Sequence, residues 1–391
     1  MKDSTLKCNT CLIALMISIL LLVNGFNSVK AVIPRPDHVV ICIMENHDYY
    51  QIIGSTSASY INTLASQSAN LTEFYGLTHP SQPNYLMMFS GSNQGETSDN
   101  TPSGTPWTSP NLGSLLINAG FSFRGYSEDL PYVGSNTSSS GNYARKHNPW
   151  VNWQGTGTNQ IPSGYNLTMN EFPSDFNQLP SLSFVIPNQA NDMHDGSDPY
   201  RITTGDQWVQ NHLQNYITWA QTNNSLLILT FDEDNFTPSN HIPCIFNGPM
   251  VQPGSYYLTG YNHYDLLRTL EDMFGLPYAG QSVSAKPIEE IWKLSGINDV
   301  KQSSRVSASF FPNPISENSN LIITSNNQSL MGEYQLNLYD VTGRLTREEK
   351  IPILIAQKGY AFRRNGLSEG LYTFSLMNDG ELVGSGKIVV D

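Results

Sequence analysis

The sequence predicts an α/β fold in which helices flank a central, mostly parallel sheet, followed by a small C-terminal β-sandwich. Three observations support this prediction. Short apolar strands alternate with helical patterns through residues 32–295, which is typical of a parallel sheet covered on both faces. A polar stretch without periodicity, residues 296–308, predicts a linker. Residues 309–391 contain short alternating strands separated by Gly, Asn and Asp turns.

The elements of residues 32–295 follow from apolar runs and helix-end signals. Asp206 is the predicted N-cap of a helix whose apolar residues, within 208–220, share one face. A second helix follows Asn262 and ends at Gly275. The predicted strands are His38–Met44, Phe121–Tyr126, Leu182–Ile186, Leu226–Phe231 and Ile242–Phe246. In the C-terminal part they are Leu321–Thr324, Tyr334–Asp340, Tyr372–Met377 and Gly386–Val390.

The N-terminus carries the pattern of a secretory signal peptide over residues 1–31. Lys2 and Lys7 precede an apolar run from Cys11 to Val23, and Val29-Lys30-Ala31 is a small-residue cleavage site. A membrane anchor is the alternative, but the run is short for a bilayer span of ~20 residues. We therefore expect export with removal of this segment, and no integral membrane span after cleavage.

Charge and cysteine content narrow the function classes. The 20 Lys and Arg residues face 33 Asp and Glu residues, a formal charge of −13, with no basic stripe. This balance argues against a nucleic-acid partner, because such proteins neutralise phosphates with clustered cations. Outside the predicted signal peptide only Cys42 and Cys244 remain, both in apolar runs. A single disulfide is possible if their strands are neighbours; otherwise both are small buried side chains.

Polar residues follow four predicted strands. They are Glu45-Asn46-His47, Glu128-Asp129, the group Asp192, His194 and Asp195, and Asp232-Glu233-Asp234. Ligands of open α/β sheets bind at the carboxyl edge, where these strands end. Carboxylates gathered at one edge repel each other unless a cation lies between them. Acidic residues after a single strand are usually loop residues or helix caps, so the prediction of a shared metal site depends on all four groups.

A second candidate is Ser81, within THPSQPNY at residues 78–85. Two prolines stiffen the backbone around this serine, which either marks an ordinary proline-rich turn or holds a nucleophile in place. A serine hydroxyl needs a base or a metal to become nucleophilic at neutral pH. No GxSxG elbow surrounds Ser81, which disfavours an α/β-hydrolase and favours activation by a metal.

Seven motifs in order carry a family resemblance. They are MENHDYYQIIG, THPSQPNYL, YARKHNPW, PNQANDMHDG, the GDQWV helix start, FDED and NHYDLLRTLEDMFGLP. Together they resemble the phosphoesterase family of bacterial and fungal acid phosphatases and phosphatidylcholine-type phospholipases C, which has an alkaline-phosphatase-like fold. The resemblance covers nearly all of residues 37–295.

The resemblance implies a divalent metal ion, a serine nucleophile and a phosphate pocket. The implied metal ligands are Glu45, Asn46, Asp232 and Glu233; the catalytic residues are Ser81, His147 and His194; the substrate-binding residues are Asn84 and His263. Oxygen ligands favour Ca²⁺, Mg²⁺ or Mn²⁺ over a thiolate-type zinc site. One histidine, for which His194 is the candidate, would protonate the leaving alcohol.

The C-terminal residues resemble a type IX secretion sorting domain of the Bacteroidota. The matching pieces are FFPNP, LYDVTGR, GLSEGLYTF and the closing GKIVV. The resemblance implies the type IX secretion machinery as a partner and a secreted or surface-attached location. An accessory sugar-binding or protein-binding module is the alternative.

The sequence thus predicts a secreted, metal-dependent phosphomonoesterase that forms a phosphoserine intermediate from its phosphoester substrate. One alternative is a phospholipase C-type phosphodiesterase, for which Tyr132, Trp150 and Trp153 are candidates to line an apolar entrance. The compact catalytic region favours the phosphatase. The other alternative is a non-catalytic surface binding protein on the same fold, which the presence of the serine and both acidic pairs disfavours.

Overall fold

The computed structural model describes residues 33–256, 260–293, 306–325, 334–340, 344–352, 359–378 and 381–391. The predicted signal peptide and most of the predicted linker lie outside these residues. The chain divides into two compact units, with the boundary after Lys293. Among the described residues, no helix combines the length and the apolar character needed to cross a bilayer.

The large unit is built from short strands and six α-helices within its described residues. The helices are α1 (Tyr49–Ile52), α2 (Ser59–Ser66), α3 (Ser81–Ser90), α4 (Leu112–Asn118), α5 (Tyr200–Ala220) and α6 (His263–Phe274). The strands are β1 (His38–Met44), β2 (Ala69–Leu71), β3 (Phe74–Tyr75), β4 (Phe123–Ser127), β5 (Ser139–Ser140), β6 (Tyr143–Ala144), β7 (Asn166–Thr168), β8 (Leu182–Ile186), β9 (Ser225–Phe231), β10 (Cys244–Asn247), β11 (Gly254–Tyr256) and β12 (Tyr261–Asn262).

The central sheet has the strand order β11-β2-β10-β9-β1-β8-β4-β7. β1 pairs in parallel with both β8 and β9, and β4 pairs in parallel with β8 and β7. β10 runs antiparallel to β9 and β2. The predicted mostly parallel sheet is therefore confirmed.

The middle strands are apolar along their whole length because both faces of the sheet are covered. Every residue of β9 and all of β1 after His38 are buried, as expected for parallel strands that lack a solvent-facing side. Around the sheet, α2 packs against α5 and α3 packs against α6. The polar residues that follow these buried strands therefore emerge at the edge of the sheet where the strands end.

One predicted helix begins earlier than its apolar pattern. α5 starts at Tyr200, so Asp206 lies inside the helix and the predicted N-cap is wrong. The Asp206 carboxylate instead accepts backbone N–H groups of Tyr60 and Ile61 at 3.0 and 2.8 Å, in the first turn of α2. Asp206 therefore satisfies the free N–H groups of a neighbouring helix.

The other predicted helix ends are confirmed. Asn262 precedes α6, and its side chain accepts the N–H of Tyr264 at 2.8 Å. Gly275 terminates the helix in a left-handed conformation with φ of 64°, which a residue without Cβ adopts at little cost.

The two buried cysteines do not form a disulfide. β9 lies between β1, which carries Cys42, and β10, which carries Cys244. Both thiols are free and buried, and burial raises their pKa values. They serve as small apolar side chains in the sheet.

The C-terminal unit consists of two antiparallel sheets, β13-β14-β17 and β16-β15-β18-β19. Its strands are β13 (Val306–Phe311), β14 (Asn318–Ser325), β15 (Tyr334–Tyr339), β16 (Leu345–Ile351), β17 (Tyr360–Arg363), β18 (Gly370–Asn378) and β19 (Glu381–Val390). Phe310 of one sheet packs edge-on against Phe374 of the other at 5.1 Å. β13, β16 and β17 were not predicted, and because β13 begins at Val306, the predicted linker of residues 296–308 is too long at its end.

Candidate active site

Two neighbouring strands deliver the first acidic residues to one edge of the sheet. Met44 at the end of β1 lies opposite Phe231 at the end of β9 in the parallel ladder. Glu45 and Asp232 therefore emerge side by side, and the Asn46 N–H donates to Asp232 Oδ1 at 3.3 Å. Asn46 has a φ of 47°, a left-handed conformation that asparagine tolerates better than most residues.

Ser81 lies at the centre of these residues. It is the first residue of α3 and 1% exposed, so the serine opens a helix instead of occupying a free turn. Its Oγ lies 3.0 Å from Glu45 Oε2, 3.2 Å from Glu233 Oε1 and 3.5 Å from Asn46 Oδ1. Because a hydroxyl has one proton to donate, it satisfies only one of these oxygens at a time.

Burial sets the electrostatics of this cluster. The side chains of Glu45, Asp192, Asp232 and Glu233 are all 0% exposed. Burial raises the pKa of Asp232 to about 7 and, with the neighbouring Asp232 charge, the pKa of Glu233 to about 9. The pKa values of Glu45 and Asp192 are also raised, first by burial and then by neighbouring carboxylates. Four buried carboxyl groups so close together are stabilised either by binding protons or by binding a cation.

The donor set fits a metal ion. Asp232 Oδ2 is buried and has no hydrogen-bond partner among the described residues. The oxygens of Glu45, Asn46 and Glu233 already converge on Ser81 Oγ, as given above. Carboxylate, amide and hydroxyl oxygens are the ligands of hard divalent cations. The four predicted metal ligands and the predicted nucleophile are thus brought together.

His147 lies on the other side of Glu45. Its ring stacks on Tyr85, with centroids 5.2 Å apart. Nε2 lies 3.2 Å from Glu45 Oε1, and Nδ1 lies 3.5 Å from Asp192 Oδ2. Burial, helped by the Lys146 charge, holds the pKa of His147 well below its usual range. The ring predicted to line the phosphate pocket therefore sits between two carboxyl groups.

His194 is more open to solvent. Its side chain is 28% exposed, and its Nδ1 lies 2.8 Å from Asp195 Oδ1. Its ring centroid is 6.1 Å from that of His147. Its backbone N–H donates to Asp192 Oδ1 at 2.7 Å. His194 is therefore placed at the margin of the buried cluster, where solvent has access.

Asn84 lies one helical turn after Ser81. Its Oδ1 accepts the N–H groups of Leu77 and Thr78 at 2.9 and 3.1 Å. Its Nδ2 donates to the carbonyl of Thr78 at 2.7 Å and lies 3.4 Å from Glu233 Oε2. These bonds fix the segment that leads into Ser81; a direct contact of Asn84 with substrate stays a prediction.

His263, at the start of α6, is fully buried. Its Nε2 donates to the backbone carbonyl of Asp232 at 2.6 Å, and burial lowers its pKa to about 4. Nδ1 has no hydrogen-bond partner among the described residues. The contact positions the backbone at Asp232, and the predicted substrate-binding role remains untested.

Two side chains predicted for the shared site, Glu128 and His47, instead bond to residues of neighbouring loops. Glu128 accepts the N–H of Asn188 at 3.0 Å and the side chain of Asn191 at 2.9 Å. His47 Nε2 lies 3.0 Å from Asp198 Oδ1. These contacts shape the segment around Asp192, so the expectation that all four strand ends supply the site is corrected to three.

Sequence reasoning assigned no role to His79. Its Nδ1 lies 2.7 Å from Glu233 Oε2, and its ring stacks on Phe236 with centroids 4.7 Å apart. Phe236 is 65% exposed. The signal was present in THPS, where a histidine precedes the nucleophile by two residues. Asp192 belonged to the strand-end groups that predicted a shared metal site, but it was not assigned as a metal ligand.

A serine hydroxyl held among buried carboxylate and amide oxygens, at the edge of an α/β sheet, fits a hydrolase with a serine nucleophile. The chain belongs to the phosphoesterase family, whose model matches residues 55–277. A model of the secretion system C-terminal sorting domain matches residues 309–391. The protein is accordingly a hydrolase of phosphoric ester bonds that carries a type IX sorting domain, which points to secretion.

Two phosphatases from other organisms are similar in sequence to this chain. The chain is 46% identical over 262 residues to a phosphatidylinositol-3-phosphatase of Mycobacterium tuberculosis, covering 66% of this chain and 84% of that protein. It is 32% identical over 252 residues to an acid phosphatase of Aspergillus fumigatus, covering 61% of this chain and 55% of the relative. The chain thus spans about half the length of this fungal relative.

Two solved structures align with this chain at low sequence identity. An alkaline phosphatase superfamily protein from Vibrio parahaemolyticus aligns with a TM-score of 0.44 and 12% identity, covering 84% of this chain and 86% of that one. A phosphonate monoester hydrolase from Silicibacter pomeroyi aligns with a TM-score of 0.45 and 12% identity, covering 89% and 91%.

Proposed function

We propose that the protein is a secreted, metal-dependent phosphomonoesterase that works through a phosphoserine intermediate. The observation that carries the proposal is the position of Ser81 Oγ, 3.0–3.5 Å from oxygens of Glu45, Asn46 and Glu233 in a buried cluster. A nucleophile and its activating groups must share one centre, since misplacement by about 1 Å costs ~100-fold in rate.

Glu45, Asn46, Asp232 and Glu233 would hold the divalent cation. When bound, the cation lowers the pKa of the Ser81 hydroxyl and neutralises charge on the phosphoryl oxygens. The Ser81 proton passes to a neighbouring carboxylate, for which Glu45 Oε2 at 3.0 Å is the candidate, as Oγ attacks phosphorus and the bond to the leaving oxygen breaks. Water later attacks the phosphoserine and releases phosphate, and Oγ regains a proton. Because Ser81 opens the ten-residue helix α3, the positive end of the helix dipole also favours the negative charge that develops there.

His194 is the proposed general acid. Its Nδ1 lies 2.8 Å from the carboxylate of Asp195 and donates to it, so when the ring is doubly protonated, Nε2 is the atom that carries the transferable proton. Donation from Nε2 to the leaving oxygen prevents release of an alkoxide. The partial exposure of this ring lets the leaving alcohol depart into solvent.

The surroundings of the site support a phosphomonoester over a phosphodiester substrate. Trp150 and Trp153 are 0% exposed, so neither lines the apolar entrance that a phospholipase C would need; of the three aromatics predicted for it, Tyr132 alone is exposed, at 59%. Both relatives described above are phosphatases by name, one of them a phosphatidylinositol-3-phosphatase. The sorting domain and the predicted signal peptide support export before the enzyme meets its substrate.

Activity of the purified protein tests this function. We expect hydrolysis of p-nitrophenyl phosphate, loss of that activity on chelation, and far slower hydrolysis of phosphatidylcholine. Ser81→Ala is expected to lower kcat by a factor on the order of 10³ or more. The matched control is Ser66→Ala, at an exposed serine of α2. Unchanged turnover in Ser81→Ala would contradict the nucleophile, and preferential cleavage of the phospholipid would favour the phosphodiesterase.

A further inference from the structure

The two carboxylate oxygens of Glu45 face different surroundings. Oε2 lies 3.0 Å from Ser81 Oγ, within the oxygen ligands described above. Oε1 accepts the Tyr85 hydroxyl and lies 3.2 Å from Nε2 of His147. On the far side of that ring, Nδ1 lies 3.5 Å from Asp192 Oδ2. Glu45 therefore separates the Ser81 cluster from a second group, formed by Glu45, His147 and Asp192.

Two polar atoms of this second group lack hydrogen-bond partners. Asp192 Oδ2 and His147 Nε2 are buried and make no hydrogen bond within the described part of the chain. Asp192 is 0% exposed and His147 is 1% exposed. Native structures rarely leave such atoms unsatisfied, so each one requires an explanation such as a bound ion or water.

Charge balance points to a cation. The buried cluster contains four carboxyl groups, from Glu45, Asp192, Asp232 and Glu233. The amine of Lys146, which lies close enough to act on them, is paired with Asp99 at 2.8 Å. One divalent ion at Ser81 would neutralise two of the four negative charges. The Asp192 side is then left without a counter-charge in a medium of low dielectric constant.

The geometry of the second group accommodates one ion. Ligand atoms of Glu45, His147 and Asp192 lie within 4.8 Å of one another. Atoms bound at about 2.0–2.4 Å from a common ion are separated by no more than about 4.8 Å, and the three ligand atoms meet this condition. One imidazole and two carboxylates form a mixed nitrogen and oxygen set, which suits Mn²⁺, Fe²⁺ or Zn²⁺ better than Ca²⁺ or Mg²⁺.

We propose that Glu45, His147 and Asp192 form a second cation site and that Glu45 bridges it to the oxygen ligands around Ser81. The proposal deepens the proposed function, and it rests on that function for its catalytic role. A cation at this second site compensates the Asp192 charge, which would otherwise repel a phosphate group. It also gives His147 the role of a metal ligand in place of a direct phosphate contact.

Titration of the full chain with Mn²⁺ after chelation tests the second site. We expect two equivalents per chain in the wild type and one in Asp192→Asn, because asparagine keeps the shape but loses the charge. Electron paramagnetic resonance of the doubly loaded wild type is expected to show a spin-coupled Mn²⁺ pair and nitrogen coupling from His147. Both signals should be absent from Asp192→Asn. Asp195→Asn, which alters a half-exposed carboxylate outside the group, should keep two equivalents.

The outcomes separate the two proposals. A wild-type stoichiometry of one, or two retained equivalents in Asp192→Asn, overturns the second site. The wild-type stoichiometry needs no variant, so a folding failure of Asp192→Asn leaves the test intact. Phosphatase activity with a single bound Mn²⁺ overturns the second site and spares the function. Two bound ions in a protein without phosphatase activity overturn the function and spare the site.

Discussion

Two regions of the large unit bury carboxyl groups in opposite ways. Glu271 in α6 is 0% exposed, yet its oxygens accept the Ala279 N–H at 2.7 Å and the Ser282 hydroxyl at 2.5 Å. At the edge of the sheet, Asp192 and Asp232 are equally buried, but each keeps an oxygen without a hydrogen-bond partner among the described residues. Donors satisfy the first region from within the fold, whereas the second leaves capacity for a ligand. The comparison teaches that satisfaction, more than burial, separates a structural carboxyl group from a functional one.

The largest effect is expected from a change at Asp232, one of the two carboxyl groups that keep an oxygen without a hydrogen-bond partner among the described residues. Asp232→Asn should lower kcat for p-nitrophenyl phosphate by a factor on the order of 10³, because it removes a proposed metal ligand. Without metal the same variant should be more stable by about 1–4 kcal/mol, since a buried, poorly compensated charge is gone. Activity assays and thermal unfolding in chelator measure the two effects. A variant that is both inactive and less stable in chelator would assign Asp232 a structural role.

The next effect concerns the contact between His79 and Glu233. His79→Gln removes the ring that lies 2.7 Å from Glu233 Oε2. Loss of such a partner typically costs about 10–100-fold in metal affinity or activity. We expect weaker Mn²⁺ binding, with activity restored at high Mn²⁺ concentration. Phe236→Leu, which keeps the histidine but alters the stacked ring, is the control; equal Mn²⁺ affinity in His79→Gln and the wild type would contradict the positioning role.

A smaller effect separates the chemistry of the leaving group from the rest of the site. His194→Gln should slow hydrolysis of glycerol phosphate by about 100-fold or more, because an alkoxide needs a proton to leave. Hydrolysis of p-nitrophenyl phosphate should slow much less, since nitrophenolate leaves without one. Steady-state kinetics with both substrates measure the difference, and Ser66→Ala, at an exposed serine of α2, is the control. Equal losses with the two substrates would argue against general acid catalysis by His194.

The smallest effect is expected from a change at Glu271, the carboxyl group whose two oxygens both accept hydrogen bonds. Burial raises the pKa of Glu271 to about 7 from an ordinary value of 4.5. The folded state therefore holds its proton more tightly, so this contribution to stability is complete below pH 4.5 and is lost as the pH rises through about 7. Glu271→Gln should flatten the fall in melting temperature of the metal-loaded protein between pH 5 and 8, with unchanged kcat. A wild-type slope in the variant would show that Glu271 does not titrate there.

Strands and helix ends were predictable where the local signal was strong. His38–Met44 and Leu182–Ile186 match β1 and β8 because continuous apolar runs leave little choice of boundary. α5 was predicted too short because its first turns, from Tyr200, carry little apolar periodicity. β16 was missed because its sequence, LTREEKI, is charged and lies at a sheet edge, where pairing with β15 decides the structure.

The site was predictable to the extent that strand ends define it. Glu45 and Asp232 converge because they follow adjacent parallel strands, whose carboxyl ends meet at one edge of the sheet. The sequence prediction already used this rule. The contact between His79 and Glu233 joins residues 154 positions apart. Local patterns do not encode such a distance, nor do they encode that Glu128 pairs with Asn188 and Asn191. Tertiary packing decided which acidic groups met.

The parallel ladder between β1 and β9 has a consequence for how the enzyme varies. The pairing of Met44 with Phe231 sets the spacing of the residues that follow, so backbone hydrogen bonds inside the sheet hold the two halves of the centre in register. Loops elsewhere can lengthen, shorten or change composition without moving that spacing. Residues around the site, such as the exposed Phe236, can therefore change and alter substrate preference. The spacing between Glu45 and Asp232 stays the same.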